Sequence, residues 1–260
     1  MLPSSTAPEP PSSALSIGRW FGIDVYLEAA ILLPVAIIIF PIVQQFPERP
    51  SLGLGIGLAV FIMLFGSVLL HEFGHALMAR RFGVGTRRIS LGMLGGVALL
   101  EGPAPSVKGD ILITIAGPLV NVLIWFAADT AIGLLNHAAL SSGGLYESGI
   151  PVSESLVFPF LALDFLRDIN RGLLFFNLIP AFPMDGGRLL FGLLRLKLNP
   201  LKAITITLTV AQIAAAGMMA WAVWRFTHGG GGIIIGFIAY QIFSSARANL
   251  TNIRAATTQR

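Results

Sequence analysis

Two imidazoles and a carboxylate fall within Leu69-Leu70-His71-Glu72-Phe73-Gly74-His75-Ala76, inside one of the most apolar stretches of the chain. On an α-helix, His71 and His75 are four residues apart and project from the same face, with Glu72 one step round beside them. This is HExxH spacing: two neutral imidazoles bind a metal ion and the glutamate acts as general base toward a water that the ion acidifies. The competing readings are a histidine that satisfies a buried polar network, or a chance match in a chain with 4 His. Ionisable groups set into membrane-grade apolar sequence favour the metal.

The elements that must position these residues follow from composition. Of 260 residues, 55% are hydrophobic and only 12% charged, and the mean hydropathy is +0.79. A soluble domain carries about twice that charged fraction. Several windows approach the roughly 20 apolar residues that span a bilayer. The fold class expected is an all-α polytopic membrane protein. The formal net charge of +4 raises nucleic acid as a partner, but the basic residues form short clusters between apolar segments, without interleaved aromatics; topology explains them better. Cys is absent, which excludes disulfides and thiolate ligands.

About six transmembrane helices are expected: Glu28 to Val43, Leu52 to Arg81, Ile111 to Leu135, Leu161 to Leu196, Ala203 to Phe226 and Ile233 to Ser245. The Pro- and Ser-rich start reads as a flexible tail over 1–18, the membrane domain as 19–247, and a cytoplasmic tail as 248–260. Lys and Arg are enriched in cytoplasmic loops. With the N-terminus inside, Arg19, Arg80, Arg81, Arg87, Arg88, Lys108, Arg188, Arg195, Lys197, Lys202, Arg247, Arg254 and Arg260 all fall on the inner side, 13 of the 17. Both termini are therefore expected in the cytoplasm, and the cell membrane is the expected location.

A catalytic zinc takes three protein ligands and keeps a fourth position for water. At ~1.5 Å of rise per residue, His71 lies ~28 Å along the second segment, near its cytoplasmic end. Asp129 lies ~27 Å along the third segment, close to the opposite surface, whereas Asp185 is ~24 Å into the fourth, at the depth of His71. Depth selects Asp185 over Asp129, Glu101, Asp110, Glu147, Glu154, Asp164 and Asp168. Pro180 and Pro183 break the helix before Asp185, and irregular backbone at membrane depth is tolerated where it lines a polar cavity. The competing reading of Asp185 is a side chain that snorkels to the inner surface beside a proline kink.

After the second segment, Arg88-Ile89-Ser90-Leu91-Gly92-Met93-Leu94-Gly95-Gly96-Val97-Ala98-Leu99-Leu100-Glu101 is apolar, glycine-rich and too short for a further spanning helix. It is expected to be a re-entrant β-hairpin, with Gly92, Gly95 and Gly96 on an edge that could receive substrate as an added strand. An inner-surface loop is the alternative.

Together, HEFGH in the second segment, Asn177-Leu178-Ile179-Pro180-Ala181-Phe182-Pro183-Met184-Asp185-Gly186 in the fourth, and Gly117-Pro118-Leu119-Val120-Asn121 in the third resemble the site-2 protease family of intramembrane zinc metalloproteases. The resemblance covers about Leu52 to Leu196. It implies one zinc per chain on His71, His75 and Asp185, Glu72 as catalytic base, Asn177 lining the site, and a membrane-associated β-element. Asn177 or Asn121 could donate to an oxyanion or to the substrate backbone, or Asn121 could serve helix packing. A short form without the PDZ or CBS modules of many relatives is expected. The implied partners are the lipid bilayer and membrane-spanning protein substrates, cut to release a cytoplasmic fragment; the sequence carries no signal for oligomeric state. Two other classes stay open: a membrane metal transporter or sensor using the same His/His/Asp set, and a relative that binds transmembrane helices without cutting them.

Overall fold

The computed structural model describes residues 14–93, 95–141, 146–147, 150–151, 154–230 and 232–258. By their contacts they divide into two compact units: the chain up to Pro103 with Leu119–Leu173, and Ala104–Pro118 with Leu174 onward.

The first unit opens with a hairpin, β1 (Leu15–Trp20) and β2 (Ile23–Leu27). Both residues of its turn have positive φ, Phe21 at 53° and Gly22 at 79°, as a two-residue hairpin with right-handed strand twist requires. Arg80 closes the turn by donating to the Phe21 carbonyl at 2.6 Å. Helices α1 (Leu32–Gln44) and α2 (Pro50–Arg81) follow. They approach closely because Gly53 and Gly57 face α1, where a Cβ would lie 2.8 Å from Val43 Cα and 3.2 Å from Ile39 Cα respectively. At 32 residues, α2 is ~48 Å long. It ends where Gly83 takes φ 75°, and the chain enters β3 (Thr86–Gly92) and β4 (Gly95–Leu100).

The four strands form one sheet in the order β1-β2-β3-β4, with β2 and β3 parallel and the outer pairs antiparallel. Alternate residues Ile23 and Val25 of β2, and Ile89 and Leu91 of β3, turn to one face, where they pack on Phe65, Val68, Leu69, Phe73 and Ala76 of α2. The sheet is thus fixed against the half of α2 that carries the two histidines. Helices α3 (Val107–Ser141) and α4 (Glu154–Asn177) each contribute to both units, and the short pair β5 (Tyr146–Glu147) and β6 (Ile150–Pro151) lies between them in sequence.

The second unit contains α5 (Asp185–Arg195), α6 (Pro200–Thr227) and α7 (Ile233–Thr258). Asn199 caps α6, its side chain accepting from Lys202 N–H at 2.9 Å. Small residues on α6, Ala211 and Ala215, let Ile242, Ala246 and Leu250 of α7 pack closely, with Ala181 and Met184 completing the cluster.

Several expectations are corrected. The chain is mostly helical but not all-α, because the alternating apolar residues of Leu15–Leu27 find partners in a sheet with the hairpin expected over 88–101, which forms over 86–100. The tail expected over 1–18 gives way to β1 from Leu15, while residues 1–13 lie outside the described set. The fourth segment is broken where Pro180 and Pro183 were expected to break it, into two helices separated by 178–184. The stretch expected as the cytoplasmic tail, 248–260, continues α7 to Thr258, with Leu250 buried at 5% exposure; this does not bear on which side of a membrane it lies. Among the described residues, three helices are long and apolar enough to cross a membrane, Pro50–Arg81, Val107–Ala138 and Pro200–Thr227.

Burial of Leu250, two turns before the end of α7, has a measurable cost. Leu250→Ala should destabilise the protein by about 2–5 kcal/mol, read as denaturant unfolding in detergent micelles; an unpacked tail residue would change it by less than about 0.5 kcal/mol.

Candidate metal centre

The helical spacing of α2 brings His71 and His75, each 4% exposed, edge to face at 83° with their Nε2 atoms 3.1 Å apart. Two imidazole nitrogens bound to one tetrahedral zinc at about 2.0–2.1 Å would stand ~3.4 Å apart. The observed pair therefore fits an ion in donor type and spacing.

The other ring nitrogen of His71 is occupied: Nδ1 lies 2.6 Å from Asn121 Oδ1. Asn121 Nδ2 donates to Asn170 Oδ1 at 2.9 Å. Asn170 Nδ2 in turn donates to Ser67 Oγ and to the Leu166 carbonyl, both at 2.9 Å. Ser67 and His71 are one turn apart on α2, so the four side chains close a ring across α2, α3 and α4. All are buried, with Asn121 and Asn170 at 0% exposure, and buried amides at that depth need every such partner.

Glu72 points from α2 toward the sheet, where its Oε2 accepts the Ala98 N–H of β4 at 2.9 Å. Gly96 makes room for it: a Cβ there would lie 2.5 Å from Glu72 Cγ. β4 thus approaches α2 closely enough for one strand amide to hold the carboxylate beside the imidazoles.

In the second unit, Asp185 is the first residue of α5, 7% exposed, where a helix N-terminus favours negative charge. Arg188 lies 3.9 Å from its carboxylate and 3.9 Å from that of Asp110. Gly186 and Gly187 are dictated by the preceding loop: a Cβ at either would fall 2.3 Å from the Leu178 carbonyl oxygen or 2.5 Å from the Ala181 carbonyl carbon. Asn177, half-buried, ends α4 at the start of that loop.

The sequence-derived residues sort as follows. His71, Glu72, His75, Asn121 and Gly96 come together in the first unit. Gly92 and Gly95 pair with each other at the hairpin turn, and Gly92 faces Glu28 instead. Asn121 stands behind His71 with both amide ends engaged and no exposed surface, an arrangement in line with the helix-packing alternative. Asp129 is exposed and lines an open cleft with Arg167 and Arg171, ~12 Å along α3 from Asn121. Asn170 was not singled out; the signal it offered was an amide in the apolar helix, two turns before Asn177.

Two imidazoles on one buried helical face, one of them oriented by an amide, with a carboxylate alongside, define a candidate metal centre in an apolar helix. Residues 59–141, which hold these groups, match the model of peptidase family M50. The chain is 30% identical to Rip3 of Mycobacterium tuberculosis over 250 residues, covering 92% of this chain and 59% of that protein. It is 36% identical to the zinc metalloprotease MJ0392 of Methanocaldococcus jannaschii over 160 residues, 62% of this chain and 41% of that one. The solved structure of the site-2 protease from M. jannaschii superposes with a TM-score of 0.58 at 26% identity, covering 91% of this chain and 95% of the other. These matches make the chain similar to peptidase family M50 and to its site-2 proteases. It spans 59% and 41% of the lengths of the two curated relatives just described.

Gly96→Ala should push the Glu72 side chain off the Ala98 amide. Hydrogen exchange followed by mass spectrometry should show faster exchange in 95–100, with the buried strand Ile23–Leu27 unchanged; unaltered protection of 95–100 would count against the contact.

Proposed function

We propose that this chain is an intramembrane zinc endopeptidase that hydrolyses peptide bonds within or near the transmembrane segments of membrane proteins. The 3.1 Å approach of the His71 and His75 Nε2 atoms, with Glu72 beside them, is the observation that carries this reading. His71, His75 and Asp185 would hold one zinc ion: all three are buried, and two imidazoles with a carboxylate are a donor set that suits zinc. When bound, zinc acidifies a water and polarises the scissile carbonyl.

The protein's own groups do the rest. Glu72 takes a proton from the attacking water as the C–O bond forms, and returns it to the amide nitrogen as the C–N bond breaks. The Ala98 amide keeps that carboxylate aimed during both transfers. β4 is the last strand of the sheet in the described residues, and its outer edge passes Glu72 at Gly96 and Ala98. An extended substrate added along this edge, with Gly92 and Gly95 shaping the turn, would bring its backbone to the base. Asn177, at the mouth of the loop before Asp185, is the amide left to contact substrate.

In the membrane, the basic clusters support six spans with both termini cytoplasmic and the hairpin re-entering from the inner side. Cleavage there would release a cytoplasmic fragment. A transporter or sensor built on the same ligands has no use for a held general base, and the name of the similar protein MJ0392 states a zinc metalloprotease.

The test uses purified protein and a membrane-spanning substrate in proteoliposomes. Glu72→Gln should lower kcat by about 10²–10⁴-fold while zinc content stays near one per chain. Cleavage that survives both Glu72→Gln and removal of zinc by a chelator would overturn the reading. Asp185→Asn should lose zinc on dialysis and with it activity; full zinc retention would remove Asp185 from the ligand set.

A further inference from the structure

The ring of side chains behind His71 has a direction, and the direction starts at a group that cannot be reversed. A backbone carbonyl only accepts, so the Asn170 amide must turn its Nδ2 toward the Leu166 carbonyl, 2.9 Å away. That leaves Asn170 Oδ1 facing Asn121, which can approach at 2.9 Å only through its own Nδ2. Asn121 then presents Oδ1 to His71, and the 2.6 Å contact requires the proton to sit on His71 Nδ1. The Nε2 lone pair is what remains to face the ion. Each step admits one orientation, because a reversed amide would set donor against donor or acceptor against acceptor.

We infer that Asn170 is a positioning residue of the metal centre: through Asn121 it transmits the polarity of a helix carbonyl to His71 and fixes the imidazole in the one tautomer that can ligate through Nε2. This rests on the zinc reading above. Ser67, the second acceptor of Asn170 Nδ2, closes the ring onto α2 and holds the ring's plane, but it does not set the direction, since a hydroxyl donates or accepts equally well. Without Asn170, Asn121 loses the acceptor that orients it. Its amide can then turn Nδ2 toward His71, which favours the tautomer with the proton on Nε2 and competes directly with metal binding. Partners of this kind typically change metal affinity by 10–100-fold.

The residue is fully buried, so a purely structural role must be separated from this one. Two substitutions do so. Asn170→Leu keeps the approximate volume and removes the acceptor; Asn170→Asp keeps an acceptor oxygen toward Asn121. The readouts are zinc affinity by competition with a chromogenic chelator, the visible spectrum of the cobalt-substituted protein, and the thermal midpoint of the metal-free protein. We expect zinc affinity to fall about 10–100-fold in Asn170→Leu, with a changed cobalt spectrum and a metal-free midpoint close to that of Asn170→Asp, while Asn170→Asp keeps most of the affinity. Equal affinity of wild type and Asn170→Leu would overturn the inference, as would equal losses in both variants that follow their metal-free midpoints. Failure of the wild type itself to bind zinc would instead overturn the function proposed above, and this inference with it.

Discussion

The proton on His71 Nδ1 is the constraint on which the rest of the centre depends. A buried imidazole can ligate a metal through only one nitrogen, and which one is decided by the hydrogen bond at the other. In hydrocarbon surroundings no water can supply that bond, so the protein must build it from side chains that are themselves satisfied. Asn121, Asn170 and Ser67 do this as a closed ring that draws on three helices, ending on a carbonyl whose role as acceptor is fixed. The same ring gives α2, α3 and α4 a polar registration that apolar surfaces alone would leave free to slide.

Glu72 is governed from the other side. A carboxylate one residue from a proposed ligand could swing onto a bound metal and displace water. The sheet prevents this by offering a strand amide at Ala98, and Gly96 lets that strand come close. Sheet and helix are locked by Ile23, Val25, Ile89 and Leu91 against Phe65, Val68, Leu69 and Phe73, so the position of the Glu72 carboxylate is set by core packing rather than by the mobility of a loop. The parallel pairing of β2 with β3 ties the start of the chain into the same device.

The grouping of the candidate centre was legible in the sequence where it depends on short spacings. His71, Glu72 and His75 are related by one helical turn, and Pro180 and Pro183 forbid an unbroken helix wherever the chain runs. The 86–100 hairpin was legible from its glycines and its length. Legibility ended where a role depends on a partner far away in the chain. Asn121 reads equally well as a donor to substrate or as glue between helices until His71 and Asn170 are seen on either side of it. Asn170 is hidden among Arg167, Asp168 and Arg171, whose charges suggest a helix end, and Ser67 reads as a small interruption in an apolar run. The strand Leu15–Trp20 was masked by its Pro- and Ser-rich neighbours, since a strand without its partners carries little signal. The end of α7 was read as a tail because its sequence is polar, although its buried face needs only Ala246 and Leu250.

The most direct test of the account is a crystal structure of the zinc-loaded protein with anomalous data collected at the zinc edge. It should place a zinc peak about 2.0–2.1 Å from Nε2 of both His71 and His75, with Nδ1 of His71 still on Asn121 and Glu72 outside bonding distance. Zinc bound through Nδ1 of His71, or taken up by the Glu72 carboxylate, would contradict it.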